Sequence, residues 1–307
     1  MIKKILITGS LGQLGSYICE DFLDDGINII GLDNGTNKCS SVPERVANIT
    51  TIGDIRDENK VNEILEGIEA IIHCAAQISV EKSIIDPKND ADNNIVSTLN
   101  LLQAVVKTKS VKRFVYISTA ATYGNPIKLP INEIHPQMPL SGYGLSKLAA
   151  ERYVNMFWQI HKLPIVVIRP FNIYSKRADP KSQYSGVITK FIDCIKENKP
   201  PKIEGDGNQT RDFIHVKDVV KMIRLVLDKD EAVGEVFNCG CGQPVTINKL
   251  AEVITNISRK NFDPIHVEKR KGDIKHSYAD ISKANKILNF LPSVDLEHGL
   301  KEIINSN

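Results

Sequence analysis

The stretch Lys4–Gly15, KILITGSLGQLG, decides how this 307-residue chain folds. Its first half is a short apolar run rich in Ile and Leu that ends at Gly9, the pattern of a buried strand. Its second half places Gly9, Gly12 and Gly15 at GxxGxxG spacing, ahead of the amphipathic stretch QLGSYICEDFLDDG. Glycines there permit a tight turn, let the backbone approach a pyrophosphate, and let the helix pack closely. The helix that follows aims its first N–H groups at the phosphates. Gly9, Gly12, Gln13, Leu14 and Gly15 are therefore the expected cradle of a dinucleotide. A plain strand–helix turn is the competing reading, and the position between first strand and first helix favours the cradle.

The same rhythm continues outward. Apolar runs at 27–33 (INIIGLD), 69–76 (EAIIHCAA), 113–119 (RFVYIST) and 164–170 (PIVVIRP) alternate with helical patterns such as NNIVSTLNLLQAVVKTKS. Continuous Val/Ile-rich strands separated by helices imply a parallel sheet covered on both faces. The expected fold is α/β, a doubly wound, Rossmann-like sheet. After Pro170 the rhythm breaks. Residues 171–211 are loop-rich around one helix, GVITKFIDCIKEN, and EVFNCG reads as one further strand. The expected division is a dinucleotide-binding domain of 1–170 plus about 212–238, interleaved with a smaller α/β substrate domain of 171–211 plus about 239–307.

Net charge is +2, which gives no electrostatic argument for a nucleic-acid partner. No apolar run approaches the roughly 18 residues of a membrane span. The apolar run in MIKKILITGS is too short for a signal peptide, so a cytoplasmic location is expected. The six cysteines are scattered without a CxxC pair, and they read as reduced thiols with no metal site.

Asp33 closes the second strand, where a carboxylate accepts hydrogen bonds from both hydroxyls of the adenosine ribose. It would repel a 2′-phosphate, which points to NAD rather than NADP. Farther on, SGYGLSK places Tyr143 four residues before Lys147, on one face of a helix. A free tyrosine has a pKa of about 10, and a nearby ammonium favours its phenolate. The strand RFVYIST ends at Thr119, which can meet Tyr143 across the crevice beyond the carboxyl ends of the strands. These three residues form a proton-transfer set: Tyr143 as the base, Thr119 as a hydroxyl on the substrate oxygen, and Lys147 as the cation.

TGSLGQLG, STAATYG, YGLSK, RPFNIYS and RDFIHVKDV occur in the order seen in extended short-chain dehydrogenase/reductases. The chain resembles their NAD-dependent epimerase/dehydratase branch, and within it the UDP-glucose (UDP-galactose) 4-epimerases. The resemblance covers nearly the whole length. It implies NAD as a tightly held cofactor, a UDP-sugar substrate, and inversion at C4 through transient oxidation. It implies that Asn34 joins Asp33 at the adenosine ribose, that Asp54 and Ile55 contact the adenine, and that the run His73–Ala76, with Ala75 and Ala76, lines the cofactor. Asn94 is implied to support the cofactor site, Asn172 to meet a substrate phosphate, and Arg211 and Arg270 to hold the diphosphate. Gly142 stands where the family often has proline, and is expected to loosen the loop before Tyr143.

Related dehydratases carry Asp-Glu after the catalytic threonine, and UDP-glucuronate decarboxylases keep a glutamate at the second place. Here those places are Ala120 and Ala121, which favours epimerisation over elimination. A non-catalytic NAD-binding scaffold is the alternative of another class; such proteins tend to lose the tyrosine or the lysine. Ser277 falls on the position that gates the C2 substituent of the sugar, where a serine leaves room for an acetamido group; a one-place shift puts Tyr278 there instead. The helices around 92–108 and 145–162 are expected to pair with a twin subunit, with Leu148, Tyr153, Met156, Phe157 and Trp158 as the apolar surface.

Overall fold

A computed structural model describes residues 2–39, 41–178, 186–260, 262–269 and 273–305. Seven parallel strands form the main sheet: β1 (Lys4–Thr8), β2 (Asn28–Asp33), β3 (Thr50–Ile52), β4 (Ala70–His73), β5 (Arg113–Ile117), β6 (Ile165–Pro170) and β7 (Val236–Cys239). Their order is β7-β6-β5-β4-β1-β2-β3. The chain winds one way from β1 to β3, then returns to add β4 on the other side of β1. That reversal opens a crevice between β1 and β4 at the carboxyl ends of the strands.

Both faces of the sheet are apolar because both are covered. Ile5, Ile7, Ile72, Val115, Val166 and Phe237 pack on one side with the helices Gln13–Asp24 and Val216–Asp228. Leu6, Ile71, Phe114, Tyr116 and Val167 pack on the other, with the helices Ser97–Thr108 and Gly142–His161. The seventh strand expected from EVFNCG is β7, paired in parallel with β6. β3 has no counterpart in the sequence reading. It is three residues long, lies at the sheet edge, and reads Thr-Thr-Ile, too short and too polar to register as a buried run.

A third apolar cluster lies apart from the sheet. Ile188, Phe191, Ile192 and Ile195 of the helix Val187–Lys196 meet Leu250, Ala251 and Ile254 of the helix Ile247–Ile257, together with Leu300 and Ile303. The stretch after residue 239 does not all join this cluster. Ala284, Leu288 and Phe290 pack into the first core beneath the sheet, so the helix Ser282–Leu288 departs from the expected grouping of 239–307.

The helix Gly142–His161 also turns two residues inward that were expected on its outer surface. Phe157 is buried and Trp158 packs beside it in the second core. Tyr153 and Met156 remain exposed, with Leu145 and Ile160 on the same helix. Among the described residues, no helix is long and apolar enough to cross a membrane.

Candidate active site

The ends of six strands converge on one cleft of about 550 Å³, within the range of small-molecule sites. Thr8 and Gly9 follow from β1, Asp33 from β2, Asp54 and Ile55 from just past β3, Cys74–Gln77 from β4, Ile117–Thr119 from β5, and Pro170–Ile173 from β6. Gly9 has φ +72°, and a Cβ there would stand 2.8 Å from the Ala75 amide nitrogen, so the first two turns can approach only through glycine. Gly12, Gln13, Leu14 and Gly15 line the same wall at the start of the helix Gln13–Asp24.

Asp33 is fixed by backbone amides from two turns, the one after β1 and its own. The Leu11 amide donates to its Oδ2 at 2.9 Å and the Gly35 amide to its Oδ1 at 2.7 Å, and the carboxylate still faces the cleft beside Asn34. Asp54 accepts from Arg56 Nε at 2.9 Å and Nη2 at 2.6 Å, and that contact holds its carboxyl below the usual range.

The opposite wall holds the reacting set. Ser141 caps the helix Gly142–His161, its Oγ accepting from the Gly144 amide at 3.1 Å. Tyr143 follows in the first turn and Lys147 one turn later; both line the cleft with Thr119. Burial raises the Tyr143 phenol above its ordinary value; a hydrogen bond with Thr119 opposes this, and the charge of Asp90 adds to it. Lys147 is 3% exposed, its Nζ 4.2 Å from the centroid of the Tyr116 ring. Burial pushes its ammonium down to about 7, against the opposing pull of Cys74, Glu151 and Asp90. The chain by itself therefore does not soften Tyr143 as the spacing with Lys147 suggested, because desolvation outweighs the hydrogen bond with Thr119.

Gly142 does not loosen this turn. A Cβ there would lie 2.6 Å from the Ser83 carbonyl oxygen, so the glycine lets the helix Val80–Ile85 press against the start of the tyrosine helix. Behind Thr119, Ser118 Oγ donates to Glu151 Oε2 at 2.6 Å, and Glu151 is fully buried against Arg169. Ala120 and Ala121 sit in a single 3-10 turn after Thr119, with the Ala121 carbonyl packed near Gly144. No acid or base occupies either place.

Several expected residues lie elsewhere. His73 is wholly buried and does not line the cleft; Cys74, Ala75 and Ala76 do. Asn94 is also buried, and its side chain is spent on Gln77, Asp90 and Ser146 rather than on the cleft. Asn172 lines the cleft, while Arg211 and Ser277 do not. Arg211 donates to Asp273 at 2.6 Å and to the Thr210 carbonyl at 2.8 Å. The Ser277 amide donates to the Thr210 carbonyl at 3.2 Å, which sets Ser277 beside the Arg211 strand. Arg270 lies outside the described residues. Gln77, Arg56, Lys82, Asn89, Asn93 and Phe171 line the cleft without having been singled out in the sequence; Gln77 alone had a signal, two residues beyond Ala75 in HCAAQ.

A dinucleotide fits this cleft: the glycine turn leaves no room for a side chain against Ala75, and the Asp33 carboxylate lines the same cleft. The sequence profile of the NAD dependent epimerase/dehydratase family matches residues 5–240. A UDP-glucose 4-epimerase of Mycolicibacterium smegmatis is 31% identical over 307 residues, covering 98% of this chain and 97% of that protein. Among solved structures, the UDP-glucose 4-epimerase of Thermotoga maritima, determined with UDP-glucose, superposes with a TM-score of 0.93 at 33% identity, covering 98% of this chain and 97% of that one. A UDP-N-acetylglucosamine 4-epimerase from Methanobrevibacter ruminantium, in complex with UDP-N-acetylmuramic acid, gives 0.93 at 33% identity, covering 99% and 97%. The chain belongs to the NAD dependent epimerase/dehydratase family, and NAD is its cofactor. Within that family its relatives include UDP-sugar 4-epimerases and dTDP-glucose 4,6-dehydratases.

Proposed function

We propose that this protein is a UDP-hexose 4-epimerase that interconverts UDP-glucose and UDP-galactose, and UDP-N-acetylglucosamine and UDP-N-acetylgalactosamine. One observation carries the reading: Thr119, Tyr143 and Lys147 face one cleft with the dinucleotide cradle, while the two places after Thr119 hold only methyl groups. Bound NAD supplies a reversible hydride acceptor and, when oxidised, a positive charge. The chain supplies the rest. Gly9–Gly15 and Asp33 hold the dinucleotide. Thr119 and Tyr143 grip the sugar hydroxyl; Tyr143 takes its proton and gives it back to the same oxygen once the sugar has turned its other face to the cofactor. Lys147 in its charged form favours the phenolate. Arg211 is the cation offered to the diphosphate, suited by its planar fork, and Asn172 stands on the cleft wall with its amide donating to the carbonyl of Asp212, the residue after Arg211, at 2.9 Å.

With no carboxyl group beside Thr119, the loss of water at C5 and C6 has no acid or base to drive it. This favours epimerisation over dehydration. Similarity to a 4-epimerase of an N-acetylated UDP-sugar supports the wider substrate range, and the gate toward the sugar C2 is assigned to Ser277, which sits beside the Arg211 strand and off the dinucleotide cleft.

The test is product analysis after separate incubation with UDP-galactose, UDP-N-acetylgalactosamine and UDP-glucuronate. Turnover of the first two is expected. Ser277→Tyr should abolish the N-acetyl activity and spare the plain hexoses. Wild-type protein that converts UDP-galactose and leaves UDP-N-acetylgalactosamine untouched would remove Ser277 from the gate, and turnover of UDP-glucuronate alone would overturn the hexose assignment.

We further propose that the exposed row of Leu145, Tyr153, Met156 and Ile160 is the face on which two copies pair.

A further inference from the structure

The segment after Asn172 leaves the cleft and crosses the first helix. Asn172 and Ile173 line the cleft and belong to the strand Asn172–Tyr174, which pairs with Phe213–His215. Just beyond, the chain meets the helix Gln13–Asp24, whose first turn lines the same cleft. Gln13 Nε2 donates to Ser175 Oγ at 3.0 Å. Arg177 then makes three contacts with that helix. Its Nη1 donates to Ser16 Oγ at 3.1 Å, its Nη2 donates to Glu20 Oε2, and its guanidinium lies 4.0 Å from the centroid of the Tyr17 ring. Gln13, Ser16, Tyr17 and Glu20 stand at i, i+3, i+4 and i+7, the spacing of one helical face.

Arg177 is 8% exposed, although Lys176 beside it is open to solvent. Among the described residues its hydrogen-bond and ion-pair partners all lie on that one helix. Removing one partner of a buried ion pair is costly, because the other charge is left without compensation. The chain has little slack between the cleft and this anchor. Ile173 lines the cleft, Tyr174 and Ser175 are buried, and Arg177 is already fastened. Moving the Asn172–Ile173 wall away from the glycine turn therefore breaks the Ser175 and Arg177 contacts together. A second arginine holds the same helix without touching the cleft. Arg224 of Val216–Asp228 pairs with Asp21 and Asp25, and no residue of its helix lines the cleft.

We propose that Arg177 is a positioning residue that latches the Asn172–Ile173 wall to the glycine turn and so sets how slowly NAD leaves. It touches none of the reacting atoms, and its task is the same whichever sugar the cleft receives.

The test reads release of the cofactor and not turnover. Protein loaded with NADH is mixed with excess NAD⁺, and the decay of bound-NADH fluorescence gives the dissociation rate. Arg177→Met keeps the apolar stem and removes the fork and the charge. Its release rate is expected to rise by about ten- to a hundredfold. Arg177→Lys keeps a charge but only a point donor, and should fall between Arg177→Met and wild type. Glu20→Gln should also speed release. Arg177→Met added to Glu20→Gln should then act less strongly than in wild type, because both remove one contact. Arg224→Met is the control: it loosens the same helix away from the cleft and should release NADH as wild type does. Release that matches wild type in either Arg177→Met or Glu20→Gln overturns the latch. An equal acceleration in Arg224→Met also overturns it, since general loosening of the helix would then be the cause. If Arg177→Met does not fold, Glu20→Gln and Arg177→Lys decide by the same comparison with Arg224→Met.

Discussion

Tyr143 holds its proton tightly in this chain, because burial outweighs the single hydrogen bond from Thr119. In the proposed reaction the positive charge of oxidised NAD would therefore have to help form the base, because Lys147, pushed down to about 7, is only partly charged near neutrality. Tyr143→Phe removes the proton acceptor and little volume. We expect kcat to fall by about 10² to 10⁴, with the melting temperature and the NAD content of the purified protein unchanged; steady-state kinetics beside absorbance and thermal melts would show it. That Tyr143 and Lys147 share the cleft was readable from a four-residue spacing, and that Asp33 reaches it from its place at the end of β2. Asp90 was not readable. NDADNN looks like a solvated polar run, and only the π-turn and the packing of two short helices bury that one carboxylate.

The elements show the same division. The Val/Ile-rich runs marked β1, β2, β5 and β6 within two residues, and β4 except that it stops three residues before the end of its run, since strands buried on both faces have no polar alternation to blur them. The edge strand Thr50–Ile52 and the short helix Glu58–Ile64 carry too few apolar residues to stand out. His73 shows what β4 contributes beyond packing. The Ala75 amide donates to Thr8 Oγ1, which lies 2.7 Å from His73 Nδ1, while Thr98 Oγ1 lies 3.0 Å from Nε2 and donates to the Asn94 carbonyl. That chain fits the neutral ring protonated on Nε2. Burial, with a smaller push from Lys147, lowers the imidazole to about 3. The unfolded chain takes up this proton near pH 6.5 and the folded one does not. The stabilisation is therefore complete above pH 6.5 and drains away as pH falls toward 3, at up to about 1.4 kcal/mol per pH unit. His73→Asn should cost overall stability yet flatten the fall between pH 6.5 and 4 by about one proton, measured by urea unfolding at several pH values. An unchanged slope would place the titrating group elsewhere.

At the scale of the whole molecule, the cleft exists because the strand order reverses at β1, which brings six loops to one edge. The sheet and its crevice followed from the alternation of runs in the sequence. The grouping of the later segments did not, because Ala284 and Leu288 return to the first core through contacts that no local pattern announces. The exposed row on the helix Gly142–His161 belongs to this scale too. Light scattering at micromolar concentration should give twice the 34.2 kDa chain mass, and Leu145→Glu with Ile160→Glu should give the monomer; a wild-type monomer would leave that row without its proposed partner. The central claim is that one bound NAD and Tyr143 invert C4 without touching the rest of the sugar. The direct measurement is NMR of the product formed from UDP-glucose carrying deuterium at C4, with no NAD added. UDP-galactose that keeps the deuterium at C4 is expected, with no release of free NADH. A 4-keto-6-deoxy product, loss of the label to solvent, or a stoichiometric demand for added NAD would contradict it.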